Sequence, residues 1–433
     1  MKICFFSKYP PIEGGVSSRT YWLAKGLGKA GHEIHIVTNA LEVEDEYREK
    51  LDFENPEELE KYQPQNVFVH SLNYGPPKHI PYSQEYLARL INLGLEVVRD
   101  YDCDVIDSYY FLPYGLAAMF VKILSGKPLI IRHAGSDITR LFGNENFHTI
   151  FLELFKNADF IISNQTVKNR ILERHRIEKN KIITGKLWGV DKNEFNPDIE
   201  PINFRKEFSI EISPETPVIT YIGKYDNNKG INELLEALSG IDDDFFLLLL
   251  AGGLQNELLE KKISSFSSLK GKYLIAGFVP PWKIPAILKR SNCLVQLENN
   301  FPISVHMPIQ PLEAFSVGTP VILSSEIFNK YEVKLGLVDQ KNVFTVNPQD
   351  KEQLRKKLKL IIKDNDLRRD VGEKSLEIIR KDNFERAIKN NIEIYETAIS
   401  RGFRLNLVYE EVSKSFWNFF EGNFKNKINK WIK

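Results

Sequence analysis

A chain of 433 residues, 42% hydrophobic and 27% charged, has room for two or three domains of roughly 150 residues and too much apolar content to stay disordered. Lys+Arg and Asp+Glu both total 58, so no global positive field exists to drive counterion release, which argues against a nucleic-acid partner. Cys4, Cys103 and Cys293 lie too far apart for a disulfide framework or for C-x-x-C zinc spacing, and read as reduced, buried thiols.

In chain order, Ile3 to Phe6 is the first strand, too short to be a signal-peptide core. Further strands are predicted at Ile34 to Thr38, Val67 to Leu72, Val105 to Tyr109, Leu129 to Arg132 and Phe160 to Ser163. Helical periodicity covers Ser17 to Leu27, Gln84 to Arg99 and Thr166 to Arg174. After Pro197 the pattern restarts, with strands at Val218 to Ile222, Phe245 to Leu250, Tyr273 to Phe278, Leu294 to Leu297, Val321 to Ser324 and Val343 to Val346. Such alternation predicts an α/β fold of two Rossmann-like, doubly wound parallel sheets joined near residue 200, with a ligand cleft where their strand ends face each other. The strongest apolar run, Phe245 to Ala251, is about a third of a bilayer-spanning helix, so the expectation is a cytoplasmic protein without a transmembrane helix. Residues 1 to 200 carry a net charge of −4 and the remainder +4. Ten acids between Leu41 and Pro64 read as a solvated helical excursion with no chemistry assigned.

Three turns could carry chemistry. Gly14-Gly15 follows the first strand and precedes a helix whose N-terminal N–H groups suit a phosphate. Lys224 and Lys229 flank the equivalent loop of the second half, spaced to converge on one diphosphate. Glu313 lies one turn inside a helix that starts after Pro308, where a carboxylate could accept hydrogen bonds from vicinal sugar hydroxyls. Asp102-Cys103-Asp104 has metal-binding D-x-D spacing but reads as a surface loop before a strand, and the eight histidines form no ligand set, so no metal is expected.

The chain resembles the retaining glycosyltransferases of family 4, whose two-domain fold is called GT-B. The resemblance rests on Pro10-Pro11 with Gly14-Gly15, Gly31-His32-Glu33, Arg132-His133-Ala134-Gly135-Ser136-Asp137, and Gly189-Val190-Asp191 with Phe195 and Pro197. Gly223-Lys224, Lys229-Gly230 and Glu313-Ala314 with Gly318-Thr319-Pro320-Val321 complete the ordered set. It implies a hexosyltransferase that moves a sugar from a nucleotide diphosphate sugar to a hydroxyl acceptor, with no cofactor or metal beyond the donor itself.

Carried over residue by residue, Gly14 and Gly15 stand beside the donor diphosphate, and Lys224 (where the family usually has Arg) and Lys229 hold the leaving nucleotide. Ile309 and Gln310 present backbone N–H groups to the diphosphate, and Glu313 binds the ribose. His133 is the cleft histidine near the transferred sugar, with Asp137 and Ser17 on the acceptor side. The family's E-x₇-E motif requires an acid at 305, where this chain has Val305 followed by His306; His306 or Glu298 could replace the lost contact. No carboxylate pair for double displacement is evident, and the family's usual account is attack on the same face as the departing phosphate. The alternative readings are a nucleotide-sugar epimerase or a phosphorylase on the same fold, the latter without a motif for a pyridoxal phosphate lysine, or an impaired glycosyltransferase-like scaffold that binds a nucleotide sugar or a partner.

The expected organisation is an acceptor-side domain over 1–198, a donor domain over 199–383, a crossover helix returning to the N-terminal domain within 384–411, and a tail over 412–433. That tail carries five lysines against Glu421, and Phe416, Trp417, Phe420, Phe424, Ile428 and Trp431 share one helical arc. It suits either a peripheral contact with an anionic membrane, which would favour a lipid or lipid-linked glycan acceptor, or packing on the N-terminal domain.

Overall fold

The computed structural model describes residues 1–49, 62–80, 83–172, 175–253, 255–303, 306–380 and 384–402. The first sheet comprises β1 (Lys2–Phe6), β2 (Glu33–Thr38), β3 (Val67–Ser71), β4 (Val105–Tyr109), β5 (Leu129–Arg132), β6 (Phe160–Ser163) and β7 (Ile182–Thr184) in the order β3-β2-β1-β4-β5-β6-β7. The second comprises β8 (Val218–Ile222), β9 (Phe246–Leu250), β10 (Tyr273–Ile275), β11 (Cys293–Gln296), β12 (Val321–Ser324) and β13 (Phe344–Val346) in the order β10-β9-β8-β11-β12-β13. Every pairing is parallel. Helices cover both faces, so central strands such as β4 and β9 are buried along their whole length and read as continuous apolar runs. In each sheet the strand order reverses beside the first strand, between β1 and β4 and between β8 and β11, and the loops leaving those strands line the cleft.

The predicted strands all form, to within a few residues at their ends. In the first half sequence periodicity missed β7, whose three residues carry no alternation, and the helices Leu116–Ser125 and Glu145–Asn157; in the second it left Asn256–Ser264, Ile284–Arg290, Ser325–Leu335, Lys351–Lys363 and Asn365–Ile379 unassigned. The first of these helices is apolar on nearly every side because it is sunk in the core, which erases the one-sided stripe that marks a surface helix. The acidic segment also departs from expectation. Glu42 is buried in an ion pair with Arg89 and accepts from the Gly75 amide at 2.5 Å, and Glu49 is buried too, while Asp45 and Glu46 are exposed on a short helical turn, so the described part of that segment is only partly a solvated face. Residues 50–61 lie outside the described residues.

The chain returns on itself. Helix Phe384–Arg401 packs against helix α1 (Gly15–Lys29), β4 and β5. Its approach is close enough that a Cβ on Gly26 would stand 2.5 Å from Ile388 Cδ1. Asn390 and Asn391 donate to the carbonyls of Lys186 and Leu187 at 2.8 and 3.1 Å. Deeper in, Arg132 Nε donates to Asp107 at 2.9 and 3.0 Å, and its Nη2 donates to Asp107 and to the Tyr395 hydroxyl. Tyr395 in turn donates to Asp107 at 2.6 Å, closing a buried triad that pins the returning helix. The segment 412–433 lies outside the described residues.

Candidate active site

Helix α1 starts at the cleft with Gly14 as its cap, at φ 110, a conformation open to glycine and strained for any other residue. A Cβ on Gly14 or Gly15 would meet nothing within 4 Å, so the backbone here is bare toward the cleft, and no acid stands in the first turn to neutralise its dipole. Ser17 is buried, its hydroxyl without a hydrogen-bond partner.

Opposite lies the loop after β8. Lys224 and Lys229 both sit on it, as expected, but they do not share one acid. Lys224 Nζ crosses to Glu13 Oε1 of the β1 loop at 2.5 Å and lies 5.2 Å from the Tyr47 ring centre. Lys229 is ion-paired with Glu298, at the end of β11, and stands over the Phe301 ring at 4.0 Å. Glu298 also takes a hydrogen bond from His306 Nδ1 at 3.1 Å. Burial works against the Glu298 charge, yet the His306 hydrogen bond and the Lys229 ammonium hold its carboxyl down at about 2. Val305 lies outside the described residues, while His306 meets Glu298, which in turn pairs with Lys229.

Helix Gln310–Ser316 brings Glu313 into the cleft wall with Ile309 and Gln310 at its start. Glu313 is 4% exposed, and burial pushes its carboxyl up to about 7 against the opposing charge of Arg19. From the first sheet, His133 follows β5 and meets the Ser163 hydroxyl through Nε2 at 3.0 Å, while its Nδ1 is buried without a partner. Burial and the Arg19 charge hold this imidazole near 4, so it is neutral at ordinary pH. Asp137 is fully buried and accepts from the backbone amides of Phe111, Ala134 and Ile138 at 3.2, 2.9 and 3.0 Å. As placed, it ties the β5 loop to the loop after β4 and offers no carboxylate to an acceptor.

Sequence reasoning passed over a second layer of charge. Glu13, immediately before the glycine pair, is fully buried and lies 3.4 Å from His79 Nε2, which is 2.9 Å from the buried Lys8 ammonium. Burial brings the Lys8 amine down to about 7, with Glu13 opposing. It also missed Arg19, whose charge reaches His133, His306 and Glu313 alike. The available signal was position: Lys8 and Glu13 stand on the loop leaving β1, the strand at which the sheet order reverses, and Arg19 on the second turn of the helix that follows.

Among the described residues no group of three or more His, Cys, Asp or Glu side chains is placed to hold a metal ion. Asp102 pairs with Lys127 at 3.1 Å and Asp104 accepts from the Lys2 amide at 2.8 Å, so the D-x-D pair is divided between separate partners.

Two family models match the chain, Glycosyltransferase Family 4 over residues 13–184 and Glycosyl transferases group 1 over residues 203–377. An uncharacterized glycosyltransferase of Methanocaldococcus jannaschii is 23% identical over 410 residues, covering 92% of this chain and 98% of that protein. Among solved structures, a sucrose-phosphate synthase of Thermosynechococcus elongatus superposes with a TM-score of 0.65 at 18% identity, covering 93% of this chain and all of the other. Anabaena HepE in complex with UDP-glucose also gives 0.65, at 14% identity, over 92% of this chain and 100% of its own. At these identities the structural likeness is one of fold.

Proposed function

The chain is a GT-B-fold glycosyltransferase related to family 4, and from that premise we propose that it moves a sugar from a nucleotide diphosphate sugar to a hydroxyl acceptor with retention of anomeric configuration. The observation that carries the reading is the pairing of two strand-order reversals across one cleft, one offering the bare Gly14-Gly15 backbone and the other Lys224, Lys229 and Glu313.

As the bond from the anomeric carbon to the diphosphate oxygen breaks, negative charge grows on that oxygen. In this reading Lys229 and Lys224 are the cations that meet it, and the N–H groups of Gly15, Ile309 and Gln310 add dipoles that need no reorganisation. The acceptor oxygen bonds to the anomeric carbon on the face the phosphate leaves, and its proton passes to the departing phosphate oxygen. Such a step needs no enzyme nucleophile. Glu298 is committed to Lys229 and His306, and Glu313 suits the ribose hydroxyls. His133, neutral, can donate or accept one hydrogen bond near the transferred sugar. With these charges in place no metal is called for.

UDP is the first nucleotide to test, since HepE binds UDP-glucose in the same fold. A thermal-shift screen of nucleoside diphosphates and their sugar conjugates should find one that raises the melting temperature, because ligand at 100 times its Kd stabilises by about 2.7 kcal/mol. NMR of the product from that donor then reads the anomeric configuration, and inversion would refute retention. Activity that vanishes in EDTA and returns with Mn²⁺ would refute metal independence.

A further inference from the structure

Arg19 belongs to none of the motifs on which the resemblance rests, yet it bridges the two halves of the cleft. It projects from the second turn of α1, in the N-terminal half, and its two guanidinium nitrogens part company. Nη1 donates to the Tyr109 hydroxyl at the end of β4, at 3.1 Å. Nη2 crosses to the other half and donates to the backbone carbonyl of Met307, also at 3.1 Å. The guanidinium carbon lies 5.5 Å from the Trp188 ring centre, and Tyr109 stacks on the same ring at 5.3 Å. The segment it grips, Met307–Ile309, leads directly into Gln310–Ser316, and from the other side Tyr331 donates to the Pro308 carbonyl.

Among the described residues Arg19 makes no ion pair; both hydrogen bonds go to neutral oxygens. Arg19 is half-buried, and a guanidinium held in the cleft wall without an acid partner keeps its field free to act on a nearby carboxyl. The acid within that field is Glu313, which lines the same cavity together with Trp22, Trp188, Ile309 and Phe384. Arg19 favours the ionised carboxylate, the form that accepts two charge-assisted hydrogen bonds from a pair of vicinal hydroxyls.

We propose that Arg19 is a positioning residue of the donor site supplied by the opposite domain, gripping Met307 and acting through Glu313 to hold the ribose end of the nucleotide. The inference rests on the donor reading above.

A double-mutant cycle on the full chain tests it, with calorimetric titration of UDP, GDP and ADP against the wild type to select the probe. Arg19→Met is expected to weaken the chosen nucleotide about tenfold, and in a Glu313→Gln background to cost less than about threefold, since the proposed action of Arg19 on the nucleotide runs through the Glu313 charge. Arg19→Lys, which keeps the charge but not the fork, should fall between. An undiminished tenfold loss in the Glu313→Gln background, or unchanged affinity in Arg19→Met, overturns the proposal. Should Arg19→Met fail to fold, the same cycle with Arg19→Lys decides. A wild type that binds none of the three nucleotides overturns the donor reading instead, a result distinct from any behaviour of the variants.

Discussion

Lys229 serves two masters. It is the expected clamp on the leaving diphosphate, and it is also the cation that keeps Glu298 ionised in a buried position. Lys229→Ala should therefore lower kcat at saturating donor by about a hundredfold, the range found for loss of one preorganised donor, with a smaller loss for Lys224→Ala; full turnover in both would refute the clamp. Glu298 adds a stability signature. Its folded pKa lies below the ordinary carboxylate value, so its contribution is complete above about pH 4.5 and is lost as the pH falls toward 2. In Lys229→Ala much of that acid-side loss should already be present near neutrality, which melting curves at about pH 2.5 and pH 7 would show as a smaller difference than in the wild type. Glu313 behaves in the opposite sense. Burial raises it to about 7, so nucleotide affinity should climb between pH 6 and pH 8 as the carboxylate forms. Glu313→Gln should remove the part of that climb not due to the phosphate itself, and an identical pH profile would refute the ribose role.

The returning helix is held by two kinds of contact that can be tested separately. Tyr395→Phe deletes a hydroxyl that both accepts from Arg132 and donates to Asp107, and should lower stability by about 1–3 kcal/mol as buried partners lose a bond. Gly26 tests the steric side. A methyl there meets Ile388 Cδ1, so Gly26→Ala should cost about 1–3 kcal/mol by overpacking, and adding Ile388→Val, which removes that carbon, should restore part of the loss. A melting temperature unchanged in Gly26→Ala would mean the helix does not sit where it is placed. These contacts explain why the helix could be expected from its apolar face at Ile388, Ile392 and Tyr395, while its partners could not: Asp107, Arg132 and Tyr395 are neighbours only after some 290 residues of chain have folded.

For the molecule entire, the two sheets, α1 and the returning helix share one apolar cluster, in which Tyr21 of α1 stands 5.2 Å from Trp282 of the second half. The cleft is thus a seam between apposed halves. The lysine-rimmed aromatic tail over 412–433 leads us to propose a peripheral membrane contact and a lipid-linked acceptor. The intact protein should float with anionic vesicles and not with neutral ones, each lysine near the surface adding about 1 kcal/mol. Failure of the intact protein to float with anionic vesicles removes the anchor, and so does flotation that survives deletion of 412–433.

Strand positions, the parallel α/β architecture and the loops that face the cleft were legible in the sequence because each depends on periodicity or on a glycine, proline or apolar run within a few residues. Gly14-Gly15, Lys229 and Glu313 could be named for the same reason: their placement follows from the strand they leave. The partners could not be. Glu13 meeting Lys224, Glu298 meeting Lys229, Asp137 spent on three backbone amides and Arg19 reaching Met307 are decided by how two sheets and a returning helix come to rest against one another. Local patterning specifies what each segment becomes. Burial and charge pairing across hundreds of residues exist only once the segments have packed.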